Sequence, residues 1–361
     1  VQIKKQWLLI DFVLKEWLLV APALGAVLTS VYLGRVTAWT AAEMQVLLLL
    51  LALFVAVSGL QHSGAVDLLA ARLQRRRGRL AVKLVLMTFF LAMVVTNDAA
   101  LIVMVPLTLA LKPRAAQALV ILEALAANAG SALTPVGNPQ NLFIYWSYAL
   151  RPLEFVMAMA PLALLFLLVL LVAAAMVDRG EEAPAPVAAG AVCGRKTAIY
   201  TLLLGLVLLA VVHVLPVYAA LAVVVYALLC DRQALRIDYT LLFSFAFFFV
   251  LAANLKTILA ASIACGGHVF LFSALASQVM SNVPAALLFA RFSADWHALL
   301  WGVNVGGFGS LFGSLANLIA YRIYVAHHGG GVNVRFALKF QLWGYAAFLL
   351  AAALYAVVWR C

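Results

Sequence analysis

Long apolar runs separated by short polar or basic loops set the pattern of the chain. A hydrocarbon core of about 30 Å takes roughly 20 helical residues. On that measure full-length spans are predicted at 16–34, 41–60, 153–177, 197–215, 239–257 and 336–358, with a shorter one at 216–230. Residues 61–79 differ. Val66, Leu69 and Leu73 share one helical face and a cluster of arginines ends the segment, which predicts an amphipathic helix lying in the membrane interface. Residues 80–111 are too long for one span, about 48 Å as a straight helix. They carry Thr96, Asn97 and Asp98 in the middle and basic residues at both ends. The pattern predicts a re-entrant hairpin with two short arms, its non-helical tip tolerated at depth because protein surrounds it. Residues 268–292, with Ser281, Asn282, Val283 and Pro284 between two apolar arms, predict a second hairpin.

The segments that follow the two hairpins are interrupted as well. Within 115–150 stands SALTPVGNPQNLFIY (131–145), which crowds two prolines, a glycine and three amides where lipid-facing sequence should be plain. Within 297–324 stands NVGGFGSLFGSLANLIAY. It aligns without a gap on NAGSALTPVGNPQNLFIY: Asn128 with Asn304, Gly130 with Gly306, Gly137 with Gly313, Asn141 with Asn317 and Tyr145 with Tyr321. Together with the paired Thr96-Asn97 and Ser281-Asn282 tips, this predicts an internal duplication. The first repeat covers 1–177, a Pro/Ala/Gly-rich cytoplasmic linker 178–196, an extra helix 197–215 and the second repeat 216–361.

Composition fixes the class: 67% hydrophobic and 10% charged over 361 residues describe a polytopic all-α membrane protein. The net charge of +11 is explained by basic cytoplasmic loops and not by nucleic acid. With the N-terminus inside and each hairpin returning to its own side, most of the 24 Lys and Arg fall on the cytoplasmic face. The C-terminus is then external. The two hairpins open to opposite faces, so the repeats are inverted, with about nine spanning helices besides the hairpins. The four cysteines show no metal or disulfide spacing.

Inverted repeats with discontinuous helices point to the midplane binding site of a secondary transporter. A broken helix exposes N–H groups at one new end and C=O groups at the other, which hold anions and cations respectively. Asn138 followed by Pro139 has the chemistry of a helix restart, an N-cap and then an N1 proline. Asp98 is an acid inside an apolar segment and the first candidate for carrying Na⁺ or a proton. Glu123 is the second, with packing against a polar neighbour as its equal rival. Lys256 and His213 read as helix-end residues, and the FSFAFFFV run (243–250) as a packing or lipid face. Asn128 and Asn304 either line the site or join helices by hydrogen bonds. With Arg and Lys nearly absent from the midplane, an anion must be held by amides, hydroxyls, helix N-termini and a co-bound cation.

TNDAALIVMVPL, GSALTPVGNPQNL, SNVPAALL and GGFGSLFGSLANL resemble, in order and over 16–358, the motifs of the ion transporter superfamily. That group includes arsenite permeases, NhaD-type sodium/proton antiporters and divalent anion:sodium symporters. The resemblance implies a homodimer and an elevator-type mechanism, in which a domain built on the hairpins and broken helices moves against a scaffold. It also implies a substrate site around Thr96, Asn97, Asn138 and Asn141 and, in the second repeat, Ser281, Asn282, Ser310, Ser314 and Asn317. Cation or proton coupling is implied at Asn97, Asp98, Gly137, Asn282 and Gly313, with Glu123 added as the second acid and Na⁺ expected near Asn97 and Asn282. The tips depart from the Ser-Asn-Thr of the dicarboxylate symporters, since Asp98 and Val283 occupy the third position. No hydrolase or P-loop motif occurs, so neither an enzyme nor an ATP-driven pump is predicted, and no cofactor beyond the coupling ion.

Overall fold

The computed structural model describes residues 17–64, 79–111, 113–177, 194–259, 268–329 and 333–359. Most of the predicted interfacial helix 61–79 and linker 178–196 lies outside these residues. Among the described residues all regular structure is helical. Five helices are long and apolar enough to cross a membrane: α2 (Ala41–His62), α7 (Pro152–Val177), α8 (Gly194–Val211), α10 (Tyr239–Leu259) and α15 (Val334–Trp359). α1 (Trp17–Leu33) precedes them, and α9 (Leu221–Cys230) follows a 3₁₀ turn at Val217–Ala220.

The segment 80–111 divides at its polar tip into α3 (Leu80–Val95) and α4 (Asn97–Ala110), which pack on each other. Thr96 alone makes the turn, at φ 90° and ψ 149°, and its hydroxyl accepts from Ala99 N at 3.4 Å. The second tip repeats the device. Ser281, at φ 73° and ψ 156°, joins α11 (Val269–Met280) to α12 (Asn282–Phe289). Both angles lie in a region populated almost only by glycine, at a cost of about 1–3 kcal/mol for a residue with a side chain.

The interrupted segments become α5 (Ala116–Ala132) with α6 (Pro139–Ser147), and α13 (Trp296–Gly306) with α14 (Leu315–His327). α3 lies along α5 and α11 lies along α13, both among the most extensive helix pairs. Small residues permit the approach: a Cβ on Gly130 would strike the carbonyl of Phe89, and one on Gly306 would press on Ser277 and Ala274. Between helices in a bilayer such close packing, not the hydrophobic effect, drives association.

Two groups of helices result. α3 to α7 and α11 to α15 form one, while α1, α2, α8, α9 and α10 form the other. The second group is tied by polar contacts. Fully buried Asn254 on α10 donates to Thr29 and Ser30 on α1, at 2.9 and 3.0 Å. Lys196 and Tyr200 at the start of α8 hold Asp231, just past α9, at 3.1 and 3.3 Å. The groups meet chiefly where α2 touches α6 and α10 touches α12.

Candidate functional site

The two breaks are built alike. At the first, Asn138 caps α6 by accepting from Asn141 N at 2.9 Å, and Pro139 fills N1. Asn141 turns its own amide back onto the carbonyls of Ser131 and Thr134, at 3.1 and 3.2 Å. At the second, Asn317 donates to the carbonyls of Gly307 and Ser310, at 2.9 and 3.0 Å. Each of these carbonyls also accepts from Thr134 N, Gly137 N, Asn128 Nδ2 or Gly313 N, so the asparagine adds a second bond that clamps the break in a non-aqueous interior.

Each tip is fastened to the break beside it. Asn97 N donates to Gly137 O at 2.9 Å, and Asn282 N to Gly313 O at 3.0 Å. Thr134 Oγ1 donates to Met93 O at 2.6 Å, and Ser310 Oγ to Gln278 O at 2.9 Å. The breaks are also cross-linked. Asn128 donates to Asn317 Oδ1, and Asn304 donates to Asn141 Oδ1, both at 2.8 Å. Asn97 joins this network by donating to Asn128 at 3.1 Å, and Asn138 by donating to Asn304 at 3.4 Å.

Four helix N-termini converge on the narrow slot between the tips. Asn97 and Asp98 bring the start of α4, Pro139 and Gln140 that of α6, Asn282 and Val283 that of α12, and Ser314 and Leu315 that of α14. Ser244, Phe245 and Phe248 of α10 close the remaining side, so the slot lies where the two helix groups meet. Its volume of about 20 Å³ suits an ion or one water-sized group. Two polar atoms at its wall are buried without a hydrogen-bond partner among the described residues: Gln140 Nε2, a donor, and Asp98 Oδ1, an acceptor. A vestibule of about 190 Å³ adjoins it, sharing Asp98 and Leu241 as walls and reaching Arg236, Asp238 and His62.

Of the residues expected at the site, Asn97, Asp98, Ser281, Asn282 and Ser314 line the slot, and Thr96 faces the vestibule. Asn138 caps the helix that forms one wall. Asn141 and Asn317, each wholly buried, are occupied in holding the breaks, and Ser310 in anchoring the second hairpin. Gly137 and Gly313 supply the carbonyls that receive the tips. Glu123 stands apart on α5, fully buried, accepting from Thr108 Oγ1 at 2.5 Å and leaving Oε2 without a described partner.

Gln140 was not expected there, although an amide in the first turn of a restarted helix is a readable signal. Gln278 was missed too. Three residues before the second tip, it donates to Gly306 O and accepts from Ser310 N, both at 2.7 Å. The aromatic run 243–250, expected to face packing or lipid, does pack at Phe245 and Phe249 and exposes Phe243, and it also gives the slot Ser244, Phe245 and Phe248.

Apolar helices of spanning length around a buried polar slot at broken helices define a polytopic membrane transporter. The chain belongs to the citrate transporter family, whose model matches residues 7–306. It is similar to an uncharacterized transporter of Methanocaldococcus jannaschii, 32% identical over 291 residues that cover 78% of this chain and 81% of the relative. It is also similar to the inner membrane protein YbiR of Escherichia coli, 36% identical over 303 residues that cover 79% and 81%.

Proposed function

We propose that the protein is a secondary active transporter that carries a small anion across the inner or plasma membrane together with H⁺ or Na⁺. The observation that carries this reading is the slot itself. Four helix N-termini and the Gln140 amide, which lacks a partner among the described residues, face it, and none of the described lysines or arginines lines it. Convergent N–H groups and dipoles favour negative charge there. Asp98 stands in the same slot, so an anion bound beside its carboxylate is repelled unless a proton or cation is taken up as well. Coupling then follows from electrostatics at Asp98, with Asn97 and Asn282 the nearest tip amides for a Na⁺.

The matching hydrogen-bond plans of the two tips and breaks support inverted repeats. The position of the slot between two helix groups supports an elevator-like exchange, in which the hairpins and broken helices move against α2 and α10. Cytoplasmic N-terminus, external C-terminus and homodimeric assembly complete the proposal and follow from loop charge and the family resemblance. Asp98 lines both the vestibule and the slot, which also favours a second reading, a sodium/proton antiporter.

Uptake into proteoliposomes separates the two. A panel of small carboxylates and oxyanions, with Na⁺ and pH gradients imposed separately, should show accumulation of at least one anion that Asp98→Asn abolishes. Cation flux with no anion present would replace symport by antiport. Intact, coupled transport in both Asn97→Ala and Asn282→Ala would remove the site assignment.

A further inference from the structure

We infer that the transporter holds a membrane phospholipid with an anionic headgroup in a groove between α5, α7 and α15, away from the slot. The groove has a volume of about 420 Å³ and is lined by aliphatic and aromatic side chains, including Leu125 of α5, Phe166 and Leu170 of α7, and Ala346 and Leu350 of α15. Its wall residues come from the middle of α5, the second half of α7 and the middle of α15, and Leu342 and Trp343 form its mouth on the side of the start of α15.

At that mouth the chemistry changes. Trp343 forms part of the groove, and the Lys339 ammonium sits 5.7 Å above its ring. One turn nearer the helix start stands exposed Arg335, so 335, 339 and 343 run along one face of α15. α15 contains no Asp or Glu. Among the described residues no carboxylate reaches ion-pair distance of Arg335 or Lys339. An acyl-sized groove crowned by two uncompensated cations and an interfacial tryptophan is complementary to an acyl chain with a phosphate at its head. Basic pockets between spanning helices on the cytoplasmic side recognise lipid headgroups in this manner, and the proposed topology puts this end of α15 in the cytoplasm.

This site does not depend on what the slot carries. Native mass spectrometry of the full-length protein released from detergent should show about one anionic phospholipid retained per chain. Added phosphatidylglycerol should raise Tm, whereas phosphatidylcholine should not. Filling the groove with Ala346→Trp should lower retention several-fold. So should removing the cations with the doubled change Arg335→Gln and Lys339→Gln, which alters only partly or fully exposed side chains and serves where the tryptophan variant does not fold. Retention unchanged in the doubled variant, or bound lipid with the headgroup composition of the bulk membrane, overturns the inference. So does efficient disulfide formation between copies carrying Leu342→Cys, which would show a second copy of the chain over the groove.

Discussion

The first tip and break and the second follow one hydrogen-bond plan, and they differ in what they leave over. Thr134 holds the Met93 carbonyl as Ser310 holds that of Gln278, and Asn141 and Asn317 each satisfy two carbonyls of their own break. Departures from symmetry fall in both units: Gln278 of the second corresponds to Met93 of the first, while three acidic or amide residues of the first have apolar counterparts. Asp98 corresponds to Val283, Gln140 to Ala316 and Glu123 to Leu299. Each of these three first-unit residues keeps one buried atom without a described partner. The three unshared first-unit residues hold spare bonding capacity, whereas the unshared Gln278 spends its amide on Gly306 and Ser310. Substrate and coupling ion are therefore expected to answer mainly to the first unit, although both units line the slot.

That contrast can be tested from its strongest consequence downward. Gly137→Leu and Gly313→Leu should each abolish folded protein, because a Cβ on either meets backbone, that of Ser131 or of Gly306. Fluorescence size-exclusion yield reads this, and a folded Gly313→Leu would break the equivalence of the units. Next, Asp98→Asn should eliminate gradient-driven accumulation while Val283→Ala leaves it near wild type. Equal losses would end the assignment of coupling to one unit.

Asn141→Ala and Asn317→Ala should destabilise alike, by about 1–3 kcal/mol, since each removes two buried hydrogen bonds that clamp a break. Thermal unfolding in detergent checks it. Gln140→Ala should weaken apparent substrate affinity about tenfold, the loss of one desolvated donor, with Tm nearly unchanged. The smallest effect is expected at the tips. Thr96→Gly and Ser281→Gly relieve about 1–3 kcal/mol of backbone strain, offset in part by about 0.5–1 kcal/mol of glycine entropy. A modest rise in Tm is expected for both.

Much of this was legible in the sequence because it is local. Thr96 and Ser281 stand between apolar arms too short to span separately, and the Asn138-Pro139 pair announces a helix start wherever it occurs. The paired asparagines signalled that the two breaks are built alike. Their use did not follow from it, because the partner of Asn128 lies 189 positions away and depends on how the two breaks cross. The same holds for Ser310, which the family resemblance offers as a ligand and the fold spends on Gln278. The run 243–250 packs as expected at Phe245 and Phe249, but that Phe245 and Phe248 also wall a slot was not legible, because an apolar run looks identical whichever buried surface it faces. Asn254, likewise, shows its purpose only once α1 lies against α10.

The crossed asparagines also bear on biogenesis. A chain inserted from its N-terminus delivers Asn128 and Asn141 to the bilayer well before Asn304 and Asn317 have been synthesised. During that interval the Asn128 amide and the Asn141 carbonyl oxygen lack their eventual partners in a medium that offers few others. The first half is accordingly an intermediate awaiting its sister, exposed to quality-control proteases, and separately expressed halves should accumulate only when both are present in the same membrane.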